Sequence, residues 1–238
     1  MNLWDLIARA DARALAASGL ACLDRCLPPA PEGEGPEPLR PLWASCEDGT
    51  AWAARLTAAR ETVAALDLPT GGSGGSGAPG GAGASGASGG AAGGSGEPGS
   101  REPAEPLARI RAVLDAAPET FEAGPLRAWA DACSLLSLEI HRRADKPPAP
   151  DAAGAQEGPE SGERETLELL RIGSAGAEAE AGPLVTGELR RQRELLEILA
   201  ESAGSPGSGA GLRRALDHST EGRRVLRAVM SRRARNQA

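Results

Sequence analysis

Residues 125–143 read PLRAWADACSLLSLEIHRR. Leu126, Trp129, Cys133, Leu136 and Ile140 recur at i, i+3, i+7, i+10 and i+14, and Ala130 and Leu135 widen the stripe. That period puts them on one side of a helix, and a stripe of that width has to be buried against other helices. Working toward the C-terminus, Thr166 to Ile172 reads as a shorter Leu-rich helix. Gly182 and Pro183 open another, with Val185, Leu189, Leu195, Leu196 and Leu199 as its apolar side and Glu188, Arg190, Arg191, Arg193, Glu194 and Glu197 on its wetter side. A last helical unit starts near Leu212, breaks at a cap made by Ser219 or Thr220, and continues to about Arg235.

Toward the N-terminus, Glu105 and Pro106 start a helix whose Leu107, Ile110, Leu114 and Ala117 share a side. Before it lies the stretch from Thr70 to Ser100, in which 27 of 31 residues are Gly, Ser or Ala and none is large and apolar. Such a segment has nothing to bury against the entropy of ordering, so it is expected to be a flexible tether, with a root-mean-square reach of ~30 Å for its length. Ahead of the tether, Asn2 caps a first helix expected to run to about Cys26, ended by Pro28 and Pro29. A short piece follows around Leu39 to Cys46, and then a helix capped by Asp48 with Trp52, Leu56, Ala59, Val63 and Leu66 on its inner side. Lys146 to Gly162, Gly173 to Gly182 and Ser202 to Gly211 read as further low-complexity stretches.

Composition agrees with this pattern. Leu supplies 28 residues against five Val and five Ile, with one Phe and no Tyr, and a Leu/Ala core poor in β-branched residues suits helices rather than sheet. The expected fold is therefore all-α: an irregular antiparallel helical bundle interrupted by long disordered Gly/Ser/Ala-rich and Pro-rich linkers. The expected division is an N-terminal helical block (1–68), a tether (69–104), a helical hairpin (105–145), a linker (146–162) and C-terminal helices with a basic tail (163–236). The first block is too small for a sizeable core of its own, so the two blocks are expected to dock into one bundle. Asp5, Arg9, Asp11 and Arg13 interrupt any secretory leader, and no apolar run reaches the ~20 residues of a membrane span, so a cytoplasmic location without a membrane span is expected.

No sequence motif requires catalysis or a cofactor. Cys22 and Cys26 lie four apart on one helix, and Cys46, Cys133 and His141 could complete a tetrahedral metal site. The spacing departs from C-x-x-C, however, and four cysteines in a reducing compartment are expected as core thiols. His141 and His218 are the only imidazoles. Neither sits in a nucleophile motif, and His141 beside Arg142 and Arg143 suits a helix C-terminus. No G-x-x-x-x-G-K-[ST] loop occurs, and Glu163, Glu165 and Glu168 read as a solvated first turn. No catalytic, cofactor-binding or metal-binding residue is assigned.

The net charge of −7 is uneven: Ala210 to Ala238 carries eight Arg against Asp217 and Glu221. There Val225, Leu226, Val229 and Met230 form an apolar strip flanked by Arg223, Arg224, Arg227, Arg232, Arg233 and Arg235. This basic amphipathic helix is the candidate interaction surface. The expected function is non-enzymatic protein–protein interaction. The alternatives are a nucleic-acid-associated regulator that uses these arginines and, third, an enzyme with a cavity between helices.

Overall fold

The computed structural model describes residues 1–28, 37–66, 104–146, 161–203 and 209–237. The disorder expected of the glycine-rich tether and of the 146–162 linker falls almost wholly outside these residues. Among the described residues there is no strand, and the fold is all-α. The described residues form ten helices: α1 Leu3–Arg9, α2 Ala12–Cys26, α3 Arg40–Trp43, α4 Trp52–Ala65, α5 Ala104–Asp115, α6 Ala123–Asp145, α7 Ser161–Arg171, α8 Ala175–Glu180, α9 Pro183–Glu201 and α10 Ala210–Gln237.

The expected stripes are the buried ones, with local departures that side chains explain. The first helix is two, because Ala10 is extended and the Asp11 carboxylate accepts the Ala14 N–H at 2.8 Å, starting α2 afresh. Asp48 caps no helix; it accepts the Thr50 N–H at 2.8 Å and closes a turn, while α4 starts after Ala51 in the left-handed region. The stretch 173–182 contains α8, whose Ala177 is buried. α10 runs unbroken through Ser219 and Thr220, because Thr220 Oγ1 donates back to the Leu216 carbonyl and Ser219 Oγ to the Ala21 carbonyl of α2.

α6 is the centre of the molecule and packs on α2, α9, α5 and α7. Its outer half is buried nearly all round: Ser137, Leu138, Glu139 and His141 are as enclosed as the expected stripe, while Ile140 is half-buried. Side-chain contacts fix the helix directions. Gly19 and Cys26 of α2 meet Trp129 and Ser137 of α6, so the two helices run in the same sense. Asp24 of α2 meets Ser219 and Arg223, and Arg13 lies beside Gly211, which gives α10 that sense too. α9 opposes all three: Ser202, at its end, meets Arg13, Glu188, near its start, meets Arg25, and Gln192 meets Ser134. Helices of like sense cannot be joined by a short loop, and α3, α4, α5 and the glycine-rich run stand between α2 and α6 in sequence.

Aromatic side chains from both sides of the glycine-rich run share one core. Trp52 of α4 lies edge-on to Phe121 at 5.4 Å and to Trp129 at 6.1 Å, and its Nε1–H reaches the Pro118 carbonyl at 2.7 Å. Trp129 in turn lies flat on Gly19, where a β-carbon would sit 2.6 Å from the ring. Helix ends are satisfied across this layer as well. Arg60 of α4 donates to the Leu114, Asp115 and Ala117 carbonyls at the end of α5, and Asp145 of α6 accepts the Leu184 and Val185 N–H groups that open α9.

Candidate interaction surface

The groups best suited to chemistry are locked together in the core. Glu188 of α9, expected on the wet side, is fully buried. Arg25 of α2 grips it with two bonds, Nε–H to Oε2 at 2.9 Å and Nη2–H to Oε1 at 2.5 Å, and Ser137 and Gln192 each donate to Oε1 at 2.8 Å. Ser134 Oγ donates to the Gln192 side-chain Oε1 at 2.6 Å, and His141 Nδ1–H donates to the Ser137 backbone carbonyl at 2.8 Å. His141 Nε2 stands 3.6 Å from Glu188 Oε2. Burial alone would raise the Glu188 carboxyl; the Arg25 and His141 charges and the bonds from Arg25 and Gln192 outweigh it and hold the group down at about 2. The carboxylate is thus ionised, bidentately paired and saturated.

Cys22 and Cys26 flank this pair. Cys26 Sγ lies 3.5 Å from Ser137 Oγ, and Cys22 Sγ 3.6 Å from Arg25 Nη2. Burial pushes the Cys22 thiol up to about 12, and drives Cys26, Cys46 and Cys133 well above the ordinary thiol range. All four are free thiols, and their environments suppress thiolate formation. Among the described residues no three of His, Cys, Asp and Glu converge in a way that would hold a metal ion. His218 sits elsewhere, 3.4 Å from Glu194, lowered by burial against the pull of that carboxylate.

The six arginines of the basic tail divide into two groups. Arg223 is buried and ties α10 to α2 through Asp24 at 3.1 Å and to the segment before α3 through Glu37. Arg227 is half-buried one turn on, its guanidinium pKa lowered by burial and by Arg223. Arg224 pairs with Glu221 at 3.2 Å on the exposed side. Beyond Leu226 no described side chain of α10 is buried. Leu226, Met230 and Arg233 continue the stripe that is covered at Arg223, but Met230 is 51% exposed, so the helix has outrun its support. Arg232 and Arg235 are exposed and meet no carboxylate among the described residues, and Arg233 reaches only the Arg143 carbonyl, at 3.4 Å.

A second exposed feature was not evident in the sequence. Trp4 of α1 is 51% exposed, unlike the other three tryptophans, and lies 5.6 Å from the buried Arg171 guanidinium, which pairs with Asp131. Leu169, in the last turn of α7, and Ile172, just past its end, are also exposed, and Gly173 beside them lies next to Asn2 at the start of α1. The signal available was the spacing: Trp4 falls off the Leu3, Leu6, Ile7 stripe. Among the described residues no helix is long and apolar enough to cross a membrane. No family model, curated protein or solved structure matches this chain.

Proposed function

We propose that this protein acts without catalysis, by binding a partner protein through the outer end of α10. One observation carries the reading. Past Leu226 the helix presents Met230 among Arg232, Arg233 and Arg235, with no acidic residue in the sequence after Glu221. An apolar side chain with Arg233 beside it and Arg232 and Arg235 on the adjoining sides of the same helix end, without carboxylate partners among the described residues, fits an acidic amphipathic segment: burial of Met230 supplies contact, and desolvated charge-assisted bonds supply register. The Arg25–Glu188 network supports the non-catalytic half of the reading, because the Glu188 carboxylate is fully occupied by Arg25, Ser137 and Gln192.

A second reading, nucleic-acid binding, is favoured by the same absence of acids. It differs in chemistry: phosphate contacts need no apolar centre, and affinity would fall with salt by a log–log slope of about −0.9 per contact. A photoreactive amino acid at position 230, irradiated in cells that make the protein, separates the two. The expected result is a discrete protein adduct that disappears when Arg232, Arg233 and Arg235 are all changed to Glu. Adducts to nucleic acid would replace the first reading with the second, and the same adducts from parent and charge-reversed protein would overturn both.

A further inference from the structure

The outer side of α7 carries a helical stripe of its own. Leu167, Leu170 and Arg171 face inward and are buried. Glu165, Glu168, Leu169 and Ile172, at i, i+3, i+4 and i+7, share the opposite side, and all four are exposed. Ile172 keeps the helical register just past the end of α7, its N–H donating to the Glu168 carbonyl at 3.2 Å. The face is therefore acidic toward the start of the helix and apolar toward its end. Glu165 makes no ion pair with a described residue, and Glu168 meets only Arg164 of its own helix, at 3.2 Å on the exposed side.

The start of α1 adjoins the apolar end of this face. The Arg171 guanidinium lies 5.6 Å from the Trp4 ring, and Gly173 lies next to Asn2. Five large apolar side chains are exposed among the described residues: Met1, Trp4, Leu169 and Ile172 belong to these two adjoining segments, and the fifth is Met230. Exposed apolar groups gathered in one place mark contact surfaces. The two surfaces also differ in sign. Residues 161–181 hold five Glu against Arg164 and the inward-turned Arg171, whereas α10 has no acid after Glu221.

Resting on the reading of α10 given above, we infer that the acidic segment it binds is α7 of a second copy of this chain, docked antiparallel to it. Helix rise sets the register. With Met230 against Leu169 and Ile172, Arg233 lies about 4.5 Å farther along α10 and Glu168 about 4 Å back along α7, so the two meet. Arg235, on the adjoining side about 7.5 Å along, comes level with Glu165 at about 8 Å. The contact is not made within one chain. Arg171 sits on Asp131 and Arg233 on the Arg143 carbonyl, about 18 Å apart along α6, and both apolar surfaces are exposed in the same molecule. A contact between unlike surfaces joins copies head to tail, into rings or open chains.

Sedimentation equilibrium of the purified full chain tests this. The expected result is self-association with a Kd of about 0.1 mM or tighter, weakened by added salt. Changing Arg232, Arg233 and Arg235 to Glu should weaken it tenfold or more, and so should changing Glu165 and Glu168 to Arg. Mixed, the two variants should associate about as tightly as the parent, because each brings the charge that the other's surface now lacks. Leu169→Gln combined with Ile172→Gln, which leaves every charge in place, should also weaken association tenfold, and it carries the test should the charge-reversed α7 unfold. A parent that stays monomeric at that concentration, folded variants that associate like the parent, or a mixture that stays monomeric overturns the inference. Photoadducts from position 230 separate that failure from failure of the earlier reading. Crosslinks to residues 165–172 of a second copy support both, whereas a monomeric parent crosslinked only to another protein overturns the second copy as partner and leaves the α10 reading standing.

Discussion

Glu188→Ala is expected to destabilise the protein by about 3–5 kcal/mol, seen as a large fall in the urea midpoint. The substitution leaves Arg25 fully buried without its counter-charge and strips Ser137 and Gln192 of their acceptor. The loss is not the worth of the ion pair. A buried pair compared with apolar groups of the same volume contributes little, so Arg25→Met combined with Glu188→Leu is expected to give back about half the loss of the single change, with the unpaired Ser137 and Gln192 accounting for the rest. Equal losses in the single and double variants would show that Arg25 and Glu188 do not act as a pair.

The same pair sets an acid dependence. The Glu188 carboxyl titrates at about 2 in the folded protein against 4.5 for the free group, so its contribution is fully present above 4.5 and fades as pH falls toward 2. Asp24, raised by burial in spite of Arg223, works in the opposite direction on a smaller scale. Glu188→Gln, which keeps an acceptor but cannot titrate, is expected to be less stable at neutral pH and to lose less on acidification through that window. Parallel pH profiles for parent and Glu188→Gln would contradict the assignment.

Trp129→Ala is the second large effect, about 3–5 kcal/mol, because the indole is the piece where α2, α4 and α6 meet. It lies on Gly19, edge-on to Trp52, and donates Nε1–H to the Val113 carbonyl of α5 at 2.9 Å. The complementary change, Gly19→Ala, puts a β-carbon 2.6 Å from a ring fixed on its other sides, and an overpacking cost of about 1–3 kcal/mol follows. Gly19→Ala in a Trp129→Leu background is expected to cost less than in the parent, since the smaller side chain leaves room. Additive losses would mean the two positions do not touch.

The helical class, the inner stripes of α4, α5 and α6 and the burial of Cys22, Cys46 and Cys133, with Cys26 half-buried, were legible in the sequence because they rest on period and residue type. The polar core was not, although its trace is there. Val185, Glu188, Gln192, Leu195 and Leu199 fall at i, i+3, i+7, i+10 and i+14, the spacing that identifies α6, but Glu188 and Gln192 are polar and charged neighbours disguise the stripe. Arg25 likewise lines up with Ala14, Ala21 and Cys22. A carboxylate on one stripe and a guanidinium on another identify each other only once α2 and α9 are known to be antiparallel neighbours, and no local rule supplies that. The break at Ala10 and the continuity of α10 at Ser219 turned on whether a side-chain oxygen meets its own backbone or another helix's, a tertiary choice. The exposed end of α10 was visible as charge, but which arginines are spent inward depended on where Asp24 and Glu37 lie.

A specific protease site placed in the glycine-rich run near residue 85, cut in the folded protein and followed by size exclusion and urea unfolding, asks whether helices on both sides of that run share one core. Packed as described, with Arg25 on Glu188 and Trp52 on Trp129, the two pieces co-elute after dilution and lose structure in one transition. Separation into two folded or unfolded pieces with independent transitions would contradict it.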